Sequence, residues 1–374
     1  MADDLRIVLN GVSFEGWKSF ALLRGVQQIP SILQVTYADA YPDSLRLQMN
    51  YGQTIEAYLG DDKVFTGYIT TLSATVAKDE HTISIECKGM SFPALGCIDL
   101  RTIPNSQLFI SDIVSMTKQL VTPLGKGGIV VKSDTTQPML SAPSVALNYG
   151  ETSWSVIDRV AKYTGVVVME DVDGALLITD VGKNKMASGI IDGSYKSGSG
   201  RRSIDDRASE YFVTWSNTDY ARGYDAASPI AGSAQDPELL QMGFNTPLFM
   251  VGDPAMWSQP IAQKQAIWIA ANRYGQGHVL TVTLNSWRDT AGKLWKPNWL
   301  VDINCPALKF GQETLVIASV EYSKDKQNGT LCTLTMIPPG GLAPEPISLI
   351  SGAAAYELYQ NGTDLTGSGV ANIG

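Results

Sequence analysis

Along the first ninety residues the apolar positions recur at every second place. In "HTISIECKG", Ile83, Ile85 and Cys87 face one way while Thr82, Ser84 and Glu86 face the other. That alternation marks a half-buried strand. "LRIVLNG" reads as a first strand closed by Asn-Gly, a tight-turn signal. "PSILQVTYADAYPDS" and "LRLQMNYG" follow. Next comes "GQTIEAYLGDDKVFTGYIT" (residues 52–70), two alternating runs around Gly-Asp-Asp-Lys. Short strands separated by Gly, Asp and Asn turns predict a small barrel or sandwich.

After Cys97 the pattern changes. Asn105 or Ser106 is placed to cap a helix running to about Leu120, with Ile110, Ile113, Val114 and Met116 or Thr117 near helical spacing. A strand, "GIVVKS", follows. "GETSWSVIDRVAKYTG" predicts a second helix, started by Thr152 or Ser153 and ended by Gly165. "VVVMEDVDGALLITDV" predicts a hairpin turning at Asp-Gly. "DGSYKSGSGRRS" (residues 192–203) reads as a Gly/Ser-rich loop or linker. The strand "SEYFVTWSN" follows, and residues 221–258 are punctuated by Pro and Gly. "SQPIAQKQAIWIAANRYGQG" predicts a helix capped by Ser258, with Pro260 in its first turn and Gly275 as its stop. The strands "HVLTVTLNSW", "WLVDINCP", "ETLVIASVEYS" and "GTLCTLTMIPP" complete the patterned part. Residues 341–374 form a low-complexity tail without a core pattern.

Two passages match in form. Residues 54–89 and 299–339 each hold a strand, a short turn, a long strand, a charged turn and a final alternating strand. Ile83, Ile85 and Cys87 fall in register with Cys332, Leu334 and Met336. Identity between them is low, so two unrelated β units remain the alternative to an internal duplication. Two such units per chain have a geometric consequence: a closed trimer would present six of them in a ring.

The 374 residues suit two to four units of ~100–150 residues each. The patterning divides them into a first β unit (residues 1–96), an α/β unit (97–185), a second β unit (186–340) with a helix near 258–274, and the tail. With no apolar run of ~18–20 residues and no basic start followed by an apolar stretch, the chain is expected to be made in a cytoplasm. The net charge of −9 argues against a nucleic-acid binder but suits a surface past which phosphates slide. Cys87, Cys97, Cys305 and Cys332 form no CxxC pair and sit in or beside apolar runs, which predicts buried reduced thiols.

Residues 54–101, with "VFTGYI" and "CKGMSFPALGCIDLR", resemble the first domain of phage baseplate hub proteins. "GHVLTVTLNSWRDTAGKLWKPNWLV" (residues 277–301) is similar to the start of the second barrel in the hub proteins of Mu-like contractile-tailed phages. In length and order of units, residues 1–340 resemble that family. The resemblance implies a mainly β (α+β) fold with two tail-tube-like β-barrel domains and an inserted α/β domain, assembling as a trimeric ring. It implies a structural, late virion protein of the tail baseplate, assembled in the host bacterial cytoplasm. Its partners would be two further copies, a trimeric membrane-piercing spike, the hexameric tail tube and other baseplate proteins. DNA would pass through the central channel at ejection, with no specific binding and no membrane insertion. Related barrels occur in type VI secretion spike proteins, but this sequence has no long regular β-helix segment.

No residue set predicts catalysis, a cofactor or a metal. His81 and His278 are the two histidines, and no GxSxG elbow or HExxH appears. "EDVDG" (170–174) lacks the remainder of a calcium loop. "GKGG" (125–128) and "GSGRRS" (198–203) lack the phosphate-loop pattern. Trp287, Trp295 and Trp299 read as core, with a subunit contact as the functional alternative. The enzyme alternative to a hub is a tail-associated cell-wall hydrolase; a carbohydrate-binding host-attachment module is the third reading.

Overall fold

The computed structural model describes residues 4–26, 28–38, 49–77, 80–103, 107–108, 112–135, 145–147, 149–214, 230–251 and 259–342. The expected Ser258 cap and residues 343–374 of the expected tail lie outside them.

Strand β1 (Leu5–Leu9) buries Leu5, Ile7 and Leu9. It turns at Asn10 and Gly11, both at positive φ (51° and 79°), into β2 (Val12–Phe14). Such a pair of left-handed residues matches the twist of the strands it joins. β3 (Ser19–Gly25), β4 (Ile32–Ala38), β5 (Thr54–Leu59), β6 (Asp62–Ala77) and β7 (Glu80–Gly89) extend this unit, hydrogen-bonded in the order β3-β4-β7-β6-β5-β1-β2.

The chain then builds β8 (Gln107–Leu108), α1 (Ile113–Val121), β9 (Val131–Ser133), β10 (Val145–Ala146), α2 (Ser153–Thr164), β11 (Val167–Glu170) and β12 (Leu176–Thr179). Helix α1 begins later than expected. Asp112 is its cap, accepting from Ser115 N at 2.8 Å, and Gln107–Leu108 ahead of it is strand. The cap sits next to the first buried position, Ile113, where it satisfies a helix N–H without displacing the apolar face. Asn105 and Ser106 lie outside the described residues. Helix α2 has the expected ends: Thr152 and Ser155 form a reciprocal cap, and Gly165 closes it at φ 72°. The two helices share one apolar cluster with β11 and β12, built on Ile113, Leu120, Val156, Ile157, Val168 and Ile178.

Two short strands, β13 (Asn184–Lys185) and β14 (Ile190–Ile191), precede β15 (Ser197–Arg202). The expected loop over residues 192–203 is thus corrected, since its second half is a strand paired along its length with β19 (His278–Leu284). A ladder needs backbone groups only, so Gly and Ser permit it where close packing excludes side chains. Between them a three-stranded sheet forms from β16 (Glu210–Thr214), β17 (Ile230–Gln235) and β18 (Pro247–Val251), with α3 (Pro237–Gln241) between β17 and β18. Helix α4 (Gln259–Gly277) lies against β17, and continues two residues past the expected stop at Gly275. β20 (Trp299–Cys305), β21 (Phe310–Asp325) and β22 (Gly329–Ile337) end the described fold.

The two β units are not separate. β21 pairs antiparallel with β3, placing Tyr322 opposite Leu22, and so joins them into one 14-stranded sheet. Its main path runs from β15 to β2, and no closed barrel forms among the described residues. One core spans both units, from Leu5 and Ile85 to Leu280 and Met336. Each fully buried aliphatic side chain contributes roughly 1.5–3 kcal/mol, so this shared core couples the two units thermodynamically.

Candidate functional site

The matched passages fold alike to the register. In β6, Ile69 stands opposite Cys87 of β7, a bulge intervenes, and Leu72 and Ala74 then face Ile85 and Ile83. In β21, Ile317 stands opposite Met336 of β22, a bulge intervenes, and Val320 and Tyr322 then face Leu334 and Cys332. The outer neighbours agree as well. β4 sets Leu33 and Val35 beside Cys87 and Ile85. β19 sets Leu280 and Val282 beside Met336 and Leu334. β5–β6 and β20–β21 each carry a further register shift near their turn. An extra residue at one place in a long strand bends it and increases its twist, so both units curve at the same point.

The motif residues of the second unit act as joints. Trp287 Nε1 donates to Leu331 O (2.9 Å) and Ser323 O (3.2 Å), and its ring meets Phe20 of the first unit at 5.5 Å. Arg288 reaches back to Asp62 (2.6 Å) and to Leu59 O (3.2 Å). Asn298 accepts from Gly182 N (2.9 Å) and donates to Asp180 O (2.8 Å), tying β20 to the end of β12. Trp295 is buried, and its carbonyl accepts the Tyr322 hydroxyl; Trp299 is partly buried beside Lys296.

Glu170 is a junction that no sequence motif marks. Its carboxylate accepts from Ser31 N and Ser91 N, both at 2.8 Å, and its carbonyl accepts from Arg24 at 3.0 Å. Burial pushes its carboxyl above the usual carboxylate range, and the two backbone N–H donors partly oppose that. A Cβ on Gly89 would lie 2.0 Å from the carboxylate, so only glycine fits beside it. The available signal was a lone charge ending the apolar run "VVVME". The carboxylates that follow are matched by cations: Lys132 contacts Asp171 (2.8 Å) and Asp173 (3.0 Å), and Lys63 contacts Asp173 (3.3 Å). The segment 170–174 is therefore a hairpin turn tied by ion pairs.

The other candidates are dispersed. His278 opens β19, buried, with Nδ1 2.9 Å from Tyr274 O and its ring stacked on Tyr274. His81 lies on β7 opposite Val76. The 125–128 segment follows α1 beside a cleft of about 360 Å³ lined by Tyr51, Tyr68, Phe92, Pro93 and Lys126; Lys126 Nζ donates to Gly52 O at 2.6 Å. Cys87, Cys305 and Cys332 are buried and free, and burial pushes all three thiols up. Cys97 is exposed, which corrects the expectation for that residue: past the short helix Phe92–Leu95 the chain runs along the surface, where Cys97 forms an isolated β-bridge with Thr152. Among the described residues no cluster of His, Cys, Asp or Glu is placed to hold a metal.

Three family models cover most of this architecture. Residues 4–89 match the N-terminal domain of Mu phage baseplate assembly protein GpP-like proteins, and residues 258–345 match the fourth domain of Mu phage baseplate assembly protein GpP. Residues 102–180 match the second domain of the gp44-like baseplate hub proteins. Along most of its length the chain is thus similar to Mu-like phage baseplate hub proteins. A 43 kDa tail protein of prophage MuSo2 from Shewanella oneidensis shares this fold, with 22% identity and a TM-score of 0.76 over 92% of this chain and 99% of that one. A tail protein from Neisseria meningitidis MC58 follows, with 16% identity and a TM-score of 0.74 over 92% and 99%. The E. coli c3393 protein, a type VI secretion component, matches with 10% identity and a TM-score of 0.56 over 89% and 76%. A comparison with curated proteins gives no match. The matched families are structural baseplate proteins of phage virions. No described helix is long and apolar enough to cross a membrane.

Proposed function

We propose that this baseplate protein is a homotrimeric hub joining the hexameric tail tube to a trimeric membrane-piercing spike around a central channel. The observation that carries the reading is the bulge-for-bulge agreement of β5–β6–β7 with β20–β21–β22. A chain with two equivalent tube-like units can meet a sixfold partner through six similar surfaces while keeping threefold symmetry toward the other. The chain works by geometry and carries no catalytic step. The excess of acidic over basic residues suits a lumen that repels DNA phosphates as the genome passes. Other baseplate proteins contact the ring's outside, and the α/β unit over residues 97–185 is inserted between the tube-like units. Assembly takes place in the host bacterial cytoplasm.

Negative-stain imaging of the purified chain tests the reading. Rings with an open centre and six lobes are expected. Solid particles without a channel at every concentration would overturn it.

A further inference from the structure

The two matched units differ in one respect, the occupancy of their long strands' second half. Along β21, residues Ser319 to Asp325 pair on one side with β22 and on the other with β3. Val320 and Tyr322 are there 0% and 1% exposed. Along β6 the equivalent residues pair with β7 alone among the described residues. Residues 71–76 are all exposed; Leu72, matching Val320, is 40% exposed and Val76 is 77% exposed. An edge carrying Thr71, Leu72, Thr75 and Val76 is strong strand sequence, with a row of backbone groups unpaired among the described residues.

The second unit holds a counterpart of the neighbour that β6 lacks among the described residues. β3 pairs with β4 by Leu22 opposite Leu33, and β15 pairs with β19 by Gly200 opposite Leu280. β15 is therefore the second unit's counterpart of β3. Its other edge is unpaired among the described residues, and all six of its residues are exposed. Ser203 N donates to Gly277 O, so alternate residues from Ser203 back to Ser199 turn their backbone groups toward β19. Gly198, Gly200 and Arg202 turn theirs outward, as Phe20, Leu22 and Arg24 do toward β21.

We propose that β15 of one copy of this chain pairs antiparallel with the second half of β6 of the next copy, repeating between chains the β3–β21 junction found within one. The register follows from the internal junction: Ala74 opposite Gly200, Leu72 opposite Arg202 and Thr75 opposite Ser199. The contact is head-to-tail, so repeating it closes a ring when the rotation permits. It supplies the subunit contact of the hub proposed above and rests on that reading only for the number of copies.

Thr75 and Ser199 would form a non-hydrogen-bonded pair, whose Cβ atoms come within disulfide reach. The test is the full chain with Cys97→Ser, Thr75→Cys and Ser199→Cys, oxidised and run without reductant. Covalent multimers that revert on reduction are expected. Each single-cysteine chain, and Thr71→Cys with Ser199→Cys, should give none. Leu72→Lys with Val76→Lys, at exposed positions that leave the monomer's core intact, should abolish the multimers. A trimer by mass that fails to cross-link, or a cross-link within one chain, would overturn this interface and leave the ring. A monomer at every concentration would overturn both.

Discussion

The Glu170 carboxylate accepts a hydrogen bond from the backbone N–H of Ser31, 2.8 Å away and 139 residues earlier in the chain. With Ser91 N on the other oxygen and Gly89 beneath, it locks the hairpin of the helical unit onto the first β unit. Glu170→Ala leaves two buried donors without a partner and should cost about 2–5 kcal/mol. Gly89→Ala drives a methyl into the carboxylate and should cost a comparable amount. Denaturant midpoints measure both. Unchanged midpoints would show that the joint is not a structural element.

A second buried pair sets a pH dependence. Asp236 is buried, which opposes its charge, yet Arg207 holds it below the usual carboxylate range through two contacts of 2.8 Å. A carboxyl depressed in the fold contributes stability that is present above its unfolded value, about 3.9, and is lost as pH falls through the folded value. Relative to wild type, Asp236→Asn should be destabilised by about 1–3 kcal/mol at pH 7, because buried Arg207 loses its bidentate carboxylate and keeps only the more exposed Glu238, 2.7 Å away. The gap should narrow below about pH 4. Melting temperatures from pH 7 to pH 3 check this, and a constant gap would contradict it.

Gly200 distinguishes a strand from a linker. A Cβ there would lie 2.2 Å from Leu308 O and 2.9 Å from the Phe310 ring. Gly200→Ala should cost about 1–3 kcal/mol, while the exposed Ser199→Ala should change stability by less than about 0.5 kcal/mol. Equal effects of both on thermal unfolding would contradict the placement of β15.

The thiols should separate cleanly. Cys97 is exposed and the other three are buried with raised thiol pKa values. A maleimide at neutral pH should label one thiol per folded chain and four after unfolding. Mass spectrometry counts them, and rapid labelling of Cys332 in the folded chain would contradict the packing of β22 against the core.

Local order was legible in the sequence. Alternation located β1 and β7, Thr152 and Gly165 located α2, and the hairpin turn of residues 171–174 was read from Asp-Gly. The equivalence of Ile83 with Cys332, seen first as a pattern of letters, reappears in the ladder as their facing Ala74 and Tyr322 across matched bulges. Three things were hidden. β15 carries its pairing in the backbone, so its Gly and Ser gave no apolar signal. The β3–β21 junction joins strands some 300 residues apart, and alternation does not say which strand lies beside which. Glu170 owes its importance to Ser31, Gly89 and Ser91, distant in sequence, and no spacing rule brings them together.

The central claim, a trimer of chains with two equivalent units, is tested most directly by molar mass in solution. Light scattering on a sizing column, at several concentrations, should give three times the 40.3 kDa chain mass. A mass of one chain at every concentration would contradict the hub.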